Sequence, residues 1–322
     1  MGASRGGDAS VALDAARRSD LLEPGRPVVV LLSGGRDSTC LLDIAVTVAG
    51  RAAVSALHVN YGLRAQARAD ERHCARLCDG LGVALAIHRA RRTAPGNLQA
   101  WAREVRYRAG GELAAQRGAL LAAGHTLSDQ AETVLYRLAA SPGRRALLGM
   151  RPREGALVRP LLEVTREQTA AHCRARGLSW REDETNDSDV YARARVRADL
   201  LPALRSLHPA AEANVARTVG LLRDEAEVLD SVVAAVLDGR DRLPVEELRA
   251  LPPALGRLVA RSLAEAAAGR LAPEAAARLP EILALDPGRP RTWLDLGQGL
   301  RAVLERGALS FSAPGSPPSA AA

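Results

Sequence analysis

An apolar run, Val28 to Leu32, breaks into Ser33-Gly34-Gly35-Arg36-Asp37-Ser38 and then into a second apolar segment, Thr39 to Ala49. A β-branched run without alternation suits a strand covered on both faces of a parallel sheet, and the following segment reads as a buried helix. Strand, glycine turn and helix in that order form an anion site. Two consecutive glycines let backbone N–H groups converge, and the helix N-terminus adds its positive end. Phosphate is the expected occupant, with the hydroxyls of Ser33 and Ser38 as further donors and Asp37 able to hold Mg²⁺ on a polyphosphate. An ordinary glycine turn with a serine cap is the plainer alternative, so the rest of the chain has to decide.

Alternation continues beyond Ala49. Ala53 to Val59 and Val83 to His88 read as a second and third strand, separated by a helix carrying Arg64, Arg68, Asp70, Glu71 and Arg72. Leu98 to Gln116 is helical by spacing, Leu120 to Ala123 reads as a fourth strand and Asp129 to Leu138 as a helix. Such alternation predicts an α/β fold with a doubly wound, mainly parallel sheet. After Met150 the pieces shorten to Val158–Leu162, a helix over Arg166–Arg176 and a polar stretch, Arg181 to Asp189. From Val215 onward Leu222, Leu229, Val232, Val233 and Val236 share one helical face, and further helices are expected around 245–251, 254–267 and 273–283. Trp293–Leu296, Gly297-Gln298-Gly299 and Arg301–Glu305 predict a hairpin, with Leu309–Ser312 as a last extended piece. At 322 residues the chain is long for one core. Its textures divide it into a ragged lead-in (1–24), the α/β domain (25–213), a smaller and mainly helical domain ending in the hairpin (214–312), and a disordered tail (313–322) of Ala, Pro, Ser and Gly.

The formal charge is +7, and all 44 basic residues are Arg. A chain without Lys has neither a Walker A lysine nor a Schiff base of its own. Residues 1–200 carry 30 Arg against 22 acids. Guanidinium forks match phosphates bidentately, so a nucleotide or nucleic acid partner is one reading, with a solvated basic surface as the other. The four cysteines, Cys40, Cys74, Cys78 and Cys173, form no C-x-x-C pair, which predicts free thiols in a reducing cytoplasm. His73, Cys74 and Cys78 read better as the buried face of a helix than as metal ligands. No apolar run approaches the roughly 20 residues that cross a bilayer, so no membrane partner is expected.

S-G-G-x-D-S, present as Ser33 to Ser38, is the signature of the PP-loop ATP pyrophosphatase superfamily, which the chain resembles. Three further segments resemble the tRNA(Ile)-lysidine synthase family: His58-Val59-Asn60-Tyr61-Gly62-Leu63-Arg64, the stretch Gly124-His125-Thr126-Leu127-Ser128-Asp129-Gln130-Ala131-Glu132-Thr133, and Arg159-Pro160-Leu161-Leu162. Trp180 to Asp183 with Asn186 to Arg197 is similar to that family's arginine-rich closing motif, and Ala102 to Tyr107 to a segment between its second and third motifs. Together they cover roughly residues 25 to 205.

The resemblance implies a cytoplasmic ligase that adenylates the wobble cytidine of an isoleucine tRNA with a CAU anticodon and then joins free L-lysine to it, using ATP and Mg²⁺. A homodimer is compatible with it. Nucleotide contacts are implied for Ser33, Gly34, Gly35, Arg36, Asp37, Ser38, His58 and His125, with Asp37 also on the metal. Catalysis is implied for Asp37, Asp129, Glu132 and Arg106, the last on the triphosphate, and Arg103 is a weaker choice. Substrate contacts are implied for Asp129, Glu132, Arg193, Arg195 and Arg197. From the residues alone, Asp129 and Glu132 at i and i+3 either grip an ammonium or form a solvated helix face. His125 either meets a phosphate or is a core histidine. Arg193, Arg195 and Arg197 share one face on a strand but spread over about 200° on a helix. Trp180 stacks on a base or belongs to the core.

The chain also departs from the family's pattern at Thr126, Ser128, Ala194 and the loop Ala140-Ser141-Pro142-Gly143. Two other functions stay in view: a tRNA thiolase of the same superfamily, against which the lack of a C-x-x-C pair stands, and, on the ground of Thr126, Ser128 and the 140–143 loop, an ATP- and RNA-binding protein that has lost turnover. The helical domain, not basic overall, is expected to recognise the tRNA, with Arg257 and Arg261 as a local patch.

Overall fold

The computed structural model describes residues 7–63, 66–92, 96–141, 143–181 and 192–313. All but the first residue of the tail expected over 313–322, and all but the first of the polar stretch Arg181–Asp189, lie outside them. The chain divides into two compact units, residues 1–222 and 223–322.

The first unit follows the order α1 (Gly7–Arg18), β1 (Val28–Leu31), α2 (Arg36–Ala49), β2 (Val54–Asn60), α3 (Ala67–Leu81), β3 (Ala84–Arg89), α4 (Leu98–Gln116), β4 (Leu120–Ala122) and α5 (Leu127–Ala140). It continues through α6 (Arg144–Leu147), β5 (Arg153–Glu154), β6 (Leu157–Val158), α7 (Arg166–Ala175), α8 (Ala192–Arg195), a π-helical turn at Val196–Leu200 and α9 (Leu201–Leu207); the unit boundary falls inside α10 (Ala211–Leu237). The sheet order is β3-β2-β1-β4-β6-β5, parallel except for the edge strand β5. After β1 the chain lays β2 and then β3 on one side, and returns to place β4 on the other. The chain therefore continues from β1 and from β4 toward opposite edges of the sheet, which places a crevice at the carboxyl ends of these strands, the usual ligand position in an open α/β sheet.

Both faces of β1 are covered, as its composition requires. Val28, Val30 and Leu32 enter one core with Leu41, Leu42 and Ile44 of α2 and with Cys74 and Cys78 of α3. Val29 and Leu31 enter the other with Ala109 and Ala114 of α4 and Leu121 of β4. Each Val or Leu so buried contributes about 1.5–3 kcal/mol, which fixes the strand that carries the glycine turn. On the α3 side, His73, Cys74 and Cys78 are buried as one helix face. A buried ionic group ties α2 to α7: the Asp43 carboxylate is 2.8 Å from His172 Nε2 and accepts bonds from Arg176 at 3.1 and 3.2 Å.

From residue 7, where its description begins, the expected lead-in (1–24) is not ragged. Gly7–Arg18 is a helix whose Ala12, Ala15 and Ala16 belong to the main core, packed against α7. A stripe of alanines carries little hydrophobic signal in the sequence, yet their small size is what lets two helices approach closely.

The second unit continues from α10 through β7 (Arg242–Pro244), α11 (Val245–Ala250), α12 (Pro253–Ala268), α13 (Pro273–Ala277), α14 (Leu279–Leu283), β8 (Arg291–Gly297), β9 (Leu300–Glu305) and β10 (Ala308–Ser312). The expected hairpin is β8–β9, turned by Gly297, Gln298 and Gly299 at φ of +91°, +50° and +79°. It is half of a four-stranded antiparallel sheet, ordered β7-β10-β9-β8. The fourth strand, β7, is only Arg-Leu-Pro and has no periodicity to read. Leu243, Leu248, Val259, Leu263, Ile282 and Leu309 form the core between this sheet and its helices.

Candidate active site

Between β1 and α2 the glycine turn is held open from below. Gly34 has φ +85°, a left-handed value that favours glycine, and a Cβ there would lie 3.1 Å from Cys74 Sγ. Ser38 Oγ donates to the Gly35 carbonyl (2.9 Å) and accepts from the Ser33 amide (3.2 Å), while Ser33 Oγ accepts from the Gly35 amide (3.3 Å). The serines thus brace the loop from within. Gly35 is the N-cap of α2 and provides no side-chain cap, so the first turn of the helix presents its N–H groups to the crevice. Arg181, arriving from after α7, donates its backbone N–H to Gly34 O at 2.9 Å and its guanidinium to Asp70 at 2.8 Å, strapping the loop to α3.

The crevice is a cleft of about 640 Å³. Ser33, Gly35, Arg36, Asp37 and Ser38 line one side; Tyr61, Arg106 and Tyr107 a second; Gly124, His125, Asp129, Arg166, Trp180, Arg181 and Arg197 the rest. The volume lies within the range of small-molecule sites, about 300–1,000 Å³. The loop after β4 is brought against the loop after β1 by Gly124, whose missing side chain is what permits contact with the backbone of Asp37 and Ser38.

A network of carboxylates and guanidiniums forms one wall. Thr126 caps α5 in a capping box: its amide and hydroxyl donate to Asp129 Oδ2 (2.8 and 2.9 Å), and the Asp129 amide returns a bond to Thr126 Oγ1 (3.3 Å). Arg166, the first residue of α7, donates Nη2 to Asp129 Oδ1 (2.5 Å) and Nη1 to Glu132 Oε1 (2.6 Å), with Nε 3.9 Å from Asp37 Oδ2. Arg197 holds Glu132 from the other side at 2.9 and 3.1 Å. Asp37 accepts from Thr169 Oγ1 (2.5 Å) and Arg36 Nε (3.0 Å). Burial opposes the charge on Asp129, but Arg166 and the Thr126 amide outweigh it and hold this carboxyl below the usual range. Arg166 is pushed the opposite way: burial works against its charge and the surrounding carboxylates more than restore it.

Asp129 and Glu132 do share a helix face. Only Asp129 lines the cleft, however; Glu132 is buried behind it between Arg166 and Arg197. Arg106 lines the cleft and donates to Tyr61 OH at 3.1 Å. Arg103 instead lies over the Tyr107 ring, 4.8 Å from its centre. His125 lines the cleft as a neutral imidazole, because burial, with Arg159 and the two α4 arginines adding to it, lowers its pKa to about 4. Trp180 lines the cleft while packing against the core.

Two expectations require correction. His58 is not on the nucleotide side of the sheet. It is buried, with Nδ1 2.9 Å from Leu32 O and 3.3 Å from Cys74 Sγ, and is absent from the cleft lining; its position on β2 faces the core containing α3. Of the two arrangements open to the arginine triplet the helical one is found, so the substrate contact implied for all three does not hold for Arg195: Arg197 reaches the cleft, Arg195 is exposed and absent from its lining, and the side chain of Arg193 lies outside the described residues. Thr126, one of the departures from the family pattern, keeps a structural duty as the α5 cap.

Arg166 and Thr169 are not signalled by the sequence, and Tyr61 and Arg181 lie in segments that resemble the family's motifs but carry no role there. Thr165 with Gln168 forms a capping box that marks the start of α7, but nothing local signals that the next side chain crosses to three carboxylates on two other helices.

Residues 12–204 match the family model of the PP-loop domain. The tRNA(Ile)-lysidine synthase of Salinispora tropica is 41% identical over 313 residues, covering 92% of this chain and 93% of that one. The enzyme of the same name from Pseudomonas syringae pv. tomato is 40% identical over 209 residues, 63% of this chain but 47% of its own length. Among solved structures, the U34-tRNA thiolase NcsA of Methanococcus maripaludis, determined with its [4Fe-4S] cluster, superposes with a TM-score of 0.57 over 67% of this chain and 79% of that chain at 18% identity, a likeness of fold. Cys40, Cys74, Cys78 and Cys173 of the present chain are all free, buried and away from the cleft lining, and burial pushes the Cys74 and Cys78 thiols up to about 12. These are core side chains with inert sulfurs.

Proposed function

The chain belongs to the tRNA(Ile)-lysidine synthase family of PP-loop ligases, and from that premise we propose that it joins free L-lysine to the wobble cytidine of an isoleucine tRNA bearing a CAU anticodon, using ATP. In the first step the cytosine carbonyl oxygen attacks the α-phosphorus, and pyrophosphate leaves with the electron pair of the broken P–O bond. In the second, the lysine ε-amine attacks the ring carbon that bears the adenylated oxygen, the C–O bond breaks, AMP departs with the former cytosine oxygen, and the amine gives up a proton. Both steps place charge on phosphate, so positioning and electrostatic stabilisation are the main requirements.

The residues supply both. The loop N–H groups and the start of α2 suit the phosphates, and Arg36, Arg106 and Arg166 add positive charge along the same cleft. The Asp37 oxygen facing Arg166 has only a 3.9 Å contact with it, which leaves a carboxylate acceptor beside the phosphate cradle. Asp37 would hold Mg²⁺ there, and the ion would neutralise polyphosphate charge. Among the described residues no group of three His, Cys, Asp or Glu is placed to bind a metal, so phosphate and water oxygens would complete the shell, as Mg²⁺ commonly requires. Asp129, ionised and at the cleft surface, is suited to receive and orient the lysine ammonium; a carboxylate this acidic holds an amine better than it stores a proton. Glu132 acts from behind, on Arg166 and Arg197.

The observation that carries this reading is the convergence of the phosphate loop, Arg106, Asp129, Arg166 and Arg197 on one cleft at the point where the strand order reverses. Its test mixes the protein with ATP, Mg²⁺, radiolabelled lysine and isoleucine tRNA carrying CAU, beside methionine tRNA with the same anticodon. ATP-dependent label on the isoleucine tRNA alone is the expected result. No label on either RNA, with ATP and tRNA still bound, would favour a protein that binds both without turnover.

A further inference from the structure

The position suited to a lysine ammonium is already filled. Arg166 spends both terminal nitrogens on Asp129 (2.5 Å) and Glu132 (2.6 Å), the geometry an incoming cation would itself adopt. With Arg197 on Glu132 and Arg36 on Asp37, the three carboxylates face three guanidiniums, so the wall is charge-balanced before any substrate arrives. An added ammonium would meet a guanidinium at close range inside a partly desolvated cleft, where like charges repel strongly. Hydrogen bonding points the same way. Asp129 Oδ2 already accepts twice from Thr126, Glu132 Oε1 accepts from both Arg166 and Arg197, and Glu132 Oε2 accepts from Arg197 and is buried.

Arg166 also has somewhere to go. Its backbone is fixed at the first turn of α7 by the Thr165–Gln168 capping box (2.8 and 3.2 Å), whereas its side chain keeps several rotatable bonds. It lines the same cleft as Gly35, Arg36 and Ser38, and its Nε already points toward Asp37 in the first turn behind the phosphate loop. A triphosphate in that loop would bring negative charge within reach of the guanidinium, and phosphate is a bidentate partner as well matched to Arg as carboxylate.

We propose that Arg166 is a nucleotide-controlled placeholder in the amine site: without ATP it occupies Asp129 and Glu132, and ATP draws it to the phosphates so that lysine can take its place. The proposal rests on the assignment of Asp129 to the amine and of the Ser33–Ser38 loop to ATP. It makes binding ordered, with ATP first, and assigns lysine affinity to a residue that never needs to touch lysine. The thermodynamic link is reciprocal, so lysine should also tighten ATP.

Equilibrium dialysis of radiolabelled lysine against the full-length protein tests it, with and without Mg²⁺ and the non-hydrolysable α,β-methylene analogue of ATP. For the wild type, lysine should bind at least about tenfold more tightly with the analogue present, a coupling of ordinary size for linked sites. In Arg166→Gln, lysine affinity without nucleotide should rise toward the wild-type value with nucleotide, and the analogue should no longer change it. Arg166→Lys, which keeps a cation but loses the fork, should retain part of the dependence. Thermal melting establishes that the variants are folded, and the analogue is used at a concentration that saturates each of them, since Arg166 itself is proposed to meet the phosphates. Equal wild-type lysine affinity with and without the analogue overturns the proposal, and that measurement needs no variant. Weaker lysine binding in Arg166→Gln than in wild type, both without nucleotide, also overturns it, since Arg166 would then be supporting the carboxylates and not occupying their site. A separate arm with Asp129→Asn distinguishes the underlying reading: undiminished lysine binding there would remove Asp129 from the amine site whatever Arg166 does.

Discussion

Gly124→Ala is the substitution whose consequence is best defined by the geometry. A Cβ at Gly124 would lie 3.0 Å from Asp37 O, 3.1 Å from Asp37 C and 3.2 Å from Ser38 N. All three are backbone atoms of the first turn of α2, so no side chain can rotate away; either the β4–α5 loop or the phosphate loop must move by a few tenths of an ångström. Overpacking of this kind costs about 1–3 kcal/mol, and each kcal/mol lowers the melting temperature of a unit this size by about 2–4 °C. The displaced atoms belong to the residues proposed to meet Mg²⁺ and phosphate, so activity should suffer beyond stability. Misplacement by 1 Å can cost about 100-fold in rate, and the smaller shift here should lower kcat/KM for ATP by about tenfold. The assay is steady-state lysine incorporation at varied ATP, paired with calorimetric melting. Gly80→Ala is the control: its Cβ meets nothing within 4 Å, and an alanine inside α3 should stabilise slightly or do nothing. Wild-type ATP kinetics and an unchanged melting temperature in Gly124→Ala would refute the claim that the two loops are packed to contact at this point.

Three other outcomes are expected. Asp43→Asn removes the buried carboxylate that pairs with His172 and with the half-exposed Arg176, and should cost about 1–3 kcal/mol at neutral pH. Burial alone would raise the Asp43 pKa, but His172 and Arg176 hold it below the ordinary value, so its contribution is present above about pH 4 and lost below that; the gap between variant and wild type in thermal melts should close in acid, and a gap constant with pH would contradict this. His125, lowered to about 4 chiefly by burial, binds protons more readily in the unfolded chain, so it erodes stability as pH falls from its ordinary value near 6.5. His125→Phe should therefore flatten the melting temperature between pH 6.5 and 4, and an unaltered slope would mean the imidazole is not neutral in the fold. All four cysteines are buried and free, so iodoacetamide should label the native protein slowly and the denatured protein at all four sites; rapid labelling of native thiols would contradict their burial.

The order of strands and helices around the phosphate loop was legible because each signal is local. Val28 to Leu31 is apolar without alternation, two glycines follow, and α2 is an apolar stretch of helical length. The limits of the second sheet were not legible, since β7 is three residues long and gains its identity only by pairing with β10. The helix α1 was missed for a similar reason: its core face is alanine, and alanine marks a core only once something packs on it. In the cleft, the residues found from sequence lie on the loops after β1 and β4, at the starts of the helices that follow them, on α4, or, for Arg197, in the closing arginine-rich segment, where motif and position coincide. His58 misled because a histidine at the end of a strand has two faces available, and only the packing of Cys74 decides between them. Arg166 was invisible for the opposite reason: its partners Asp37, Asp129 and Glu132 lie on α2 and α5, far away in sequence, and a long flexible side chain leaves no periodic trace.

The central claim, that the cytosine oxygen is activated by adenylation and then displaced by lysine, is tested most directly by an oxygen label. An isoleucine tRNA carrying ¹⁸O in the carbonyl of its wobble cytosine would be incubated with the protein, ATP, Mg²⁺ and lysine, and the released AMP examined by mass spectrometry. The account predicts one ¹⁸O in AMP for each lysine incorporated, and none in pyrophosphate. Label retained in the modified RNA or released as water, with lysine still incorporated, would contradict it.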